Sequence, residues 1–105
     1  MFLRYTPEAR NDLRELKSYI ATALKNPIAA KSVTNRIVSA CSILKEQPYS
    51  GADLAAKTGR DTDLRYLICD KHIAFYRVEE NCVSIVRILD GRTNYMRVLF
   101  NEAGE

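Results

Sequence analysis

Residues 64–89, LRYLICDKHIAFYRVEENCVSIVRIL, decide the fold. LRYLIC, HIAFYRV and CVSIVRIL are each dense in β-branched and aromatic residues, and only DK and EEN join them, so the chain must reverse directly at each junction. Three antiparallel strands in a meander are predicted. Side chains alternate along a strand, which places Leu64, Tyr66 and Ile68 on one face of the first strand and Arg65, Leu67 and Cys69 on the other.

Upstream, Thr6, Pro7 and Glu8 read as an N-cap, a proline at the first helical position and an acid where the helix dipole favours it. Ala9, Leu13, Leu16, Ile20 and Leu24 then recur at helical spacing, while Arg10, Asp12, Arg14, Glu15 and Lys17 fall mostly on the opposite, polar side. Asn26-Pro27 repeats the start signal, and Ala30, Val33, Ile37, Cys41 and Leu44 form a second stripe that Pro48 ends. So short a connection makes the two helices an antiparallel hairpin. Residues 48–63, PYSGADLAAKTGRDTD, are rich in turn formers and are expected to be an ordered loop. MFLRYT can add an edge strand at the start, and residues 93–100 fit either a last strand or a single helical turn. The order β-α-α-β-β-β describes an α+β fold, a helical hairpin packed on a small antiparallel sheet, with 1–105 as one domain.

Composition excludes several classes. With 47% apolar and 28% charged residues the chain is an ordinary globular one. Its net charge of +3 is spread without a basic block, so nucleic acid is permitted but not indicated. Cys41, Cys69 and Cys82 lie in apolar segments at no metal-ligand spacing, which reads as reduced core thiols, and no cofactor or metal is expected. No stretch approaches a membrane span or carries the apolar core of a leader, and a cytoplasmic protein is expected.

The residues able to carry chemistry are mostly cations. Arg65, Arg77 and Arg87 fall one on each strand of the meander, where each either snorkels at an edge or binds an anion on an open sheet face. Lys57 and Arg60, in the loop feeding the sheet, are candidates for the same surface. His72, at a tight turn, reads as an exposed titrating side chain without a metal or nucleophile partner. After RIL and the Asp90-Gly91 turn come Arg92 and Tyr95, expected at the rim beside Arg65. Cleavage of RNA through its 2′-hydroxyl needs a base, an acid and cations for the phosphorane. Arg65 and Arg92 suit the last role, but Tyr95 and Asp90 would need strong tuning to move protons, so no acid–base pair is evident.

In order and spacing, YTPEARNDLRELKSYI, NPIAAKSVTNRIVSACSILKEQPYSG and LRYLICDKHIAFYRVEENCVSIVRILDGRTNY resemble the two helices and the sheet of the RelE/ParE superfamily of type II toxin–antitoxin toxins. The resemblance implies a growth-inhibiting toxin neutralised by a small antitoxin that wraps its helices and sheet. Its two branches differ in target: RelE-like members cut mRNA on the ribosome, ParE-like members poison DNA gyrase. For a RelE-like enzyme it implies catalytic roles for Arg65, Arg92 and Tyr95; Lys57, Arg60, Arg77 and Arg87, by their places on the sheet and its feeding loop, are the expected target- or RNA-binding cations. Asp90 stands where related sequences often carry histidine, the 48–63 loop has no glutamate, and the proline-led helices with RILDGR look closer to the ParE branch. Whether the chain is an enzyme stays open. The remaining reading is a non-toxic binding module on the same fold.

Overall fold

The computed structural model describes residues 1–101, so the last four residues of the expected 1–105 domain lie outside the described residues. Strand β1 (Phe2–Tyr5) leads into helix α1 (Pro7–Ser18), and α2 (Pro27–Ser42) completes the hairpin. Strand β2 (Ala52–Asp53), helix α3 (Leu54–Thr58), strands β3 (Arg65–Cys69), β4 (His72–Val78) and β5 (Cys82–Asp90), and helix α4 (Tyr95–Phe100) come after it. This is the expected α+β class, with the meander paired β3–β4 and β4–β5 antiparallel. The sheet order is β1-β5-β4-β3-β2, with β1 parallel to β5 at one edge.

The caps form as the residue types dictate. The Ala9 amide donates to Thr6 Oγ1 at 3.2 Å, and the same hydroxyl donates to the Val86 carbonyl at 3.1 Å, so one side chain starts α1 and fastens it to β5. Asn26 accepts from the Ala29 amide at 3.0 Å, and Pro27 needs no partner in the first turn. Between the helices the chain widens into a π-helical turn over Tyr19–Ala23. A π turn adds residues per revolution and rotates the chain beyond it, so Ile20 is buried but Leu24, expected on the core face, is 57% exposed.

Two apolar clusters lie on opposite faces of the sheet. Under the hairpin, Ala9, Ile37, Cys41 and Leu44 meet Cys69, Ala74, Tyr76, Val83, Ile85 and Ile88. The register of β5 against β4 slips between Phe75 and Tyr76, leaving Val86 as the extra residue. Past that bulge the helix-facing parity changes from Val83 and Ile85 to Ile88. On the other face Leu54, Leu64, Phe75 and Leu89 gather Tyr66, Tyr95, Leu99 and Phe100.

Three expectations change. The 48–63 loop contains β2 and α3: Asp53 caps α3 by accepting from the Ala55 amide at 3.0 Å, and Gly59 ends it at φ 75°. The second sheet face is covered by α3 and α4, because an apolar face holding Phe75 and Leu89 must be buried somewhere. His72 is half-buried, since the turn is only Asp70-Lys71 and His72 already pairs with Asp90 in the sheet. The alternation in β3 holds, with Leu67 and Cys69 toward the hairpin and Leu64 and Tyr66 toward the second cluster.

Candidate functional site

Each predicted cation has a partner in the fold. Arg65 Nη2 donates to the Gly51 carbonyl at 2.6 Å and the Tyr49 carbonyl at 3.3 Å, while the guanidinium lies over the Tyr49 ring, 5.1 Å from its centre. Its Nε is buried without a hydrogen-bond partner. Arg65 therefore clasps the segment between α2 and β2. Arg77 Nε donates to both Asp63 oxygens at 2.9 Å.

Arg87 reaches α1, donating to the two Asp12 oxygens at 2.8 Å each, and the Ile88 amide donates to Asp12 Oδ2 at 2.8 Å. Asp12, placed on the polar side by periodicity, is thus an interior anchor. Its paired charge holds the Arg87 guanidinium above the usual arginine range, the hydrogen bond being the main cause.

Arg92 closes on Asp90: its Nε and Nη2 donate to Oδ1 and Oδ2 at 3.1 Å, and its amide donates to Oδ1 at 2.8 Å. These hydrogen bonds, the side-chain ones first, hold the Asp90 carboxyl down at about 2. Such a carboxylate is an anchor rather than a proton carrier.

The sequence predicts Arg92 beside Arg65, and the structure separates them. Arg65 pairs with Tyr76, whereas Asp90 pairs with His72, which pairs with Cys69 at the far end of β3. A strand advances roughly 3.3 Å per residue, so the two ends of β3 stand about 13 Å apart.

What the fold does bring together is a cation–aromatic rim on the second face. Lys57 lies over the Tyr66 ring at 5.0 Å and Arg60 over the Phe100 ring at 4.4 Å. Tyr95 packs against Phe75 with ring centres 5.2 Å apart at 40°. Tyr66, Tyr95 and Phe100 all border one apolar cluster, so the two cations and the aromatics share a surface. Sequence reasoning named Lys57, Arg60 and Tyr95 but missed Tyr66 and Phe100 as their seats. An aromatic alternating with apolar residues in LRYLIC was the available signal for Tyr66.

Two grooves flank the Asp70-Lys71 turn. One, of about 590 Å³, runs between the hairpin and the turn, with Ile20, Leu24, Val33 and Ile37 as apolar lining and Arg36, Lys71 and Asp70 at its margin. The other, of about 490 Å³, is lined by Ile68, Ile73 and Gly91 with Lys71 and Arg92 against Asp70 and Asp90. The first joins its apolar floor to a small cationic excess, a form suited to an amphipathic acidic segment, whereas the second carries two bases against two acids. Leu24, turned outward by the π turn, is part of the first. Among the described residues no group of three His, Cys, Asp or Glu side chains could hold a metal ion, and no helix is long and apolar enough to cross a membrane.

The architecture recurs in a solved chain from the chromosomal ParDE TA system of P. aeruginosa, with a TM-score of 0.71 and 24% identity over 86% of this chain and 95% of that one. At that identity the likeness speaks for the fold. None of the curated proteins matches. The sequence itself matches, over residues 3–95, the family described as the ParE toxin of the type II toxin–antitoxin system parDE. With the hairpin, the meander and the RILDGR turn all inside the matched stretch, the chain belongs to the ParE toxin family.

Proposed function

We propose that this ParE-family toxin arrests growth by poisoning DNA gyrase, and that its antitoxin lays an amphipathic, acidic segment into the groove between the hairpin and the Asp70-Lys71 turn. The toxin role and the existence of a cognate antitoxin come with the family; the target is the proposed part. Supporting gyrase over the ribosome is the separation of Arg65 from Arg92. Cleavage of mRNA would ask both to neutralise one phosphorane, yet each is tied to its own partner at opposite ends of β3. The modest net charge of +3 agrees, because a ribosome binder gains affinity by collecting phosphate-neutralising cations.

Supercoiling by purified gyrase, titrated with toxin, tests the target. Inhibition with accumulation of cleaved gyrase–DNA complexes, and intact transcripts in arrested cells, is the expected result. Undiminished supercoiling together with codon-positioned mRNA cuts that vanish in Arg65→Ala would replace it with the nuclease reading. Absence of growth arrest altogether would leave a non-toxic binding module.

A further inference from the structure

We propose that the outer face of α2 is a contact surface for duplex DNA, holding the phosphate backbone electrostatically. The net charge of +3 conceals a segregation. Residues 16–45 hold Lys17, Lys25, Lys31, Arg36 and Lys45 and no acid, whereas the rest of the chain carries eleven bases against thirteen acids. All five bases are exposed. The segment runs from the end of α1 through the π turn and the whole of α2, so folding gathers its charge about the hairpin.

The buried residues Ala30, Thr34, Ile37 and Cys41 fix which side of α2 meets the core. On the side turned to solvent lies a shallow groove of about 550 Å³, in which Lys31 and Arg36 flank Ser32, Asn35 and Ser39. Those three polar side chains spend none of their hydrogen bonds within the fold among the described residues. Arg36 reaches Asp70 at 3.8 Å, but the two side chains are 65% and 70% exposed, so solvent screens the pair and the guanidinium stays available. The first turn of α2 has no acid, so the positive end of its dipole adds to Lys25 and Lys31.

Cations interleaved with hydroxyls and an amide are the side chains that hydrogen-bond phosphate oxygens. A helix of 16 residues is about 24 Å long, and a helix fits the major groove of a duplex, about 12 Å wide. Single strands are held by stacking their bases on aromatic rings, and α2 carries no aromatic residue. The core of a protein interface is enriched in aromatic anchors and depleted of lysine and serine, which makes an acidic protein the poorer fit. Under the gyrase reading this face would hold the toxin to the DNA that the enzyme cuts, yet the contact is a property of the toxin alone. Of the groove's residues only Arg36 also lines the one offered to the antitoxin.

The test is fluorescence anisotropy of a labelled duplex of about 20 base pairs, titrated with the full chain at salt concentrations from about 50 to 200 mM. Gyrase is left out, so the outcome is separate from that of the supercoiling titration. The expected dissociation constant is about 10⁻⁵ M at physiological salt, and log K should fall against log salt with a slope of about −3.6 if Lys25, Lys31, Arg36 and Lys45 each meet a phosphate. Lys31→Ala/Lys45→Ala should weaken binding and reduce that slope by about 2, at an unchanged thermal midpoint. Arg4→Ala/Arg97→Ala removes the same charge from the other sheet face, since Leu3 and Tyr5 point under the hairpin and Arg97 sits on α4, and should leave the slope as it was. No anisotropy change with about 1 mM toxin at the lowest salt would overturn the proposal. So would equal slope losses in the two double variants, or tighter binding of oligothymidylate or of polyglutamate than of the duplex.

Discussion

With only 8% of its side chain exposed, Asp12 accepts from Arg87 twice and from the Ile88 amide, so it ties α1 to β5 just beyond the Val86 bulge. Removing one member strands the other in a partly dry site. Asp12→Ala should lower stability by about 3 kcal/mol, read as a fall in denaturation midpoint, and Arg87→Met should cost a comparable amount because it leaves the buried Asp12 carboxylate with only the Ile88 amide. Equal midpoints for wild type and Asp12→Ala would show the pair idle. The Asp90–Arg92 pair is a different case, since Arg92 is 92% exposed and solvent screens it. The Asp90 carboxyl is depressed to about 2 from an ordinary 3.8, so its contribution is present above pH 3.8 and is lost as pH falls toward 2. Screening keeps that loss small. A carbon-detected titration should place Asp90 at about 2 in the wild type and higher in Arg92→Ala, though still below its ordinary value because the residue-92 amide keeps its hydrogen bond; an unmoved titration would mean the Arg92 side chain does not hold it. The Asp12–Arg87 pairing was not legible in the sequence, because charge partners from distant segments meet only after the sheet registers are set.

At the scale of elements, the two glycines that frame β2 and α3 do different work. A Cβ at Gly51 would be driven into the Tyr66 carbonyl and the Tyr76 hydroxyl, and the Gly51 amide also donates to that hydroxyl at 3.0 Å. Gly59 meets nothing but needs a left-handed φ of 75°. Gly51→Ala should therefore cost about 1–3 kcal/mol through overpacking, and Gly59→Ala about 1 kcal/mol through backbone strain alone. Thermal melts of the two variants check the order; a smaller loss for Gly51→Ala would refute it. The hairpin and the meander were legible because caps, prolines and apolar period agree along each of them. Residues 52–58 were not, although Asp53 and Gly59 bracket a helix in type. Five residues carry too little period to outweigh a turn-rich composition, and what stabilises α3 is burial of Leu54 against Leu64 and Phe75.

At the scale of the molecule, the hairpin buries one sheet face and the short helices α3 and α4 the other, so the surface left for partners lies at grooves and rims. Lys57 and Arg60 occupy one such rim over Tyr66 and Phe100. Cation–π contacts at exposed sites contribute only about 0.5–1 kcal/mol each, so the double variant Lys57→Ala/Arg60→Ala should stay folded and retain antitoxin binding. If the rim meets the target, its potency in the supercoiling titration should drop about tenfold, the equivalent of roughly 1.4 kcal/mol. Unchanged potency would make the rim merely part of the fold.

The sequence by itself determined the class: helix starts at Thr6 and Asn26, strand runs joined by two and three residues, and a family-level likeness carried by their order. Those signals are local, and each is read within a few residues of chain. Tertiary structure decided which partners Arg65, Arg77, Arg87 and Arg92 take within the fold, that Arg65 and Arg92 lie toward opposite ends of β3, and that the tail helix covers the second face. These outcomes depend on strand order, on the Val86 bulge and on the π turn at Tyr19–Ala23, which convert small local shifts into changes of face across the whole molecule.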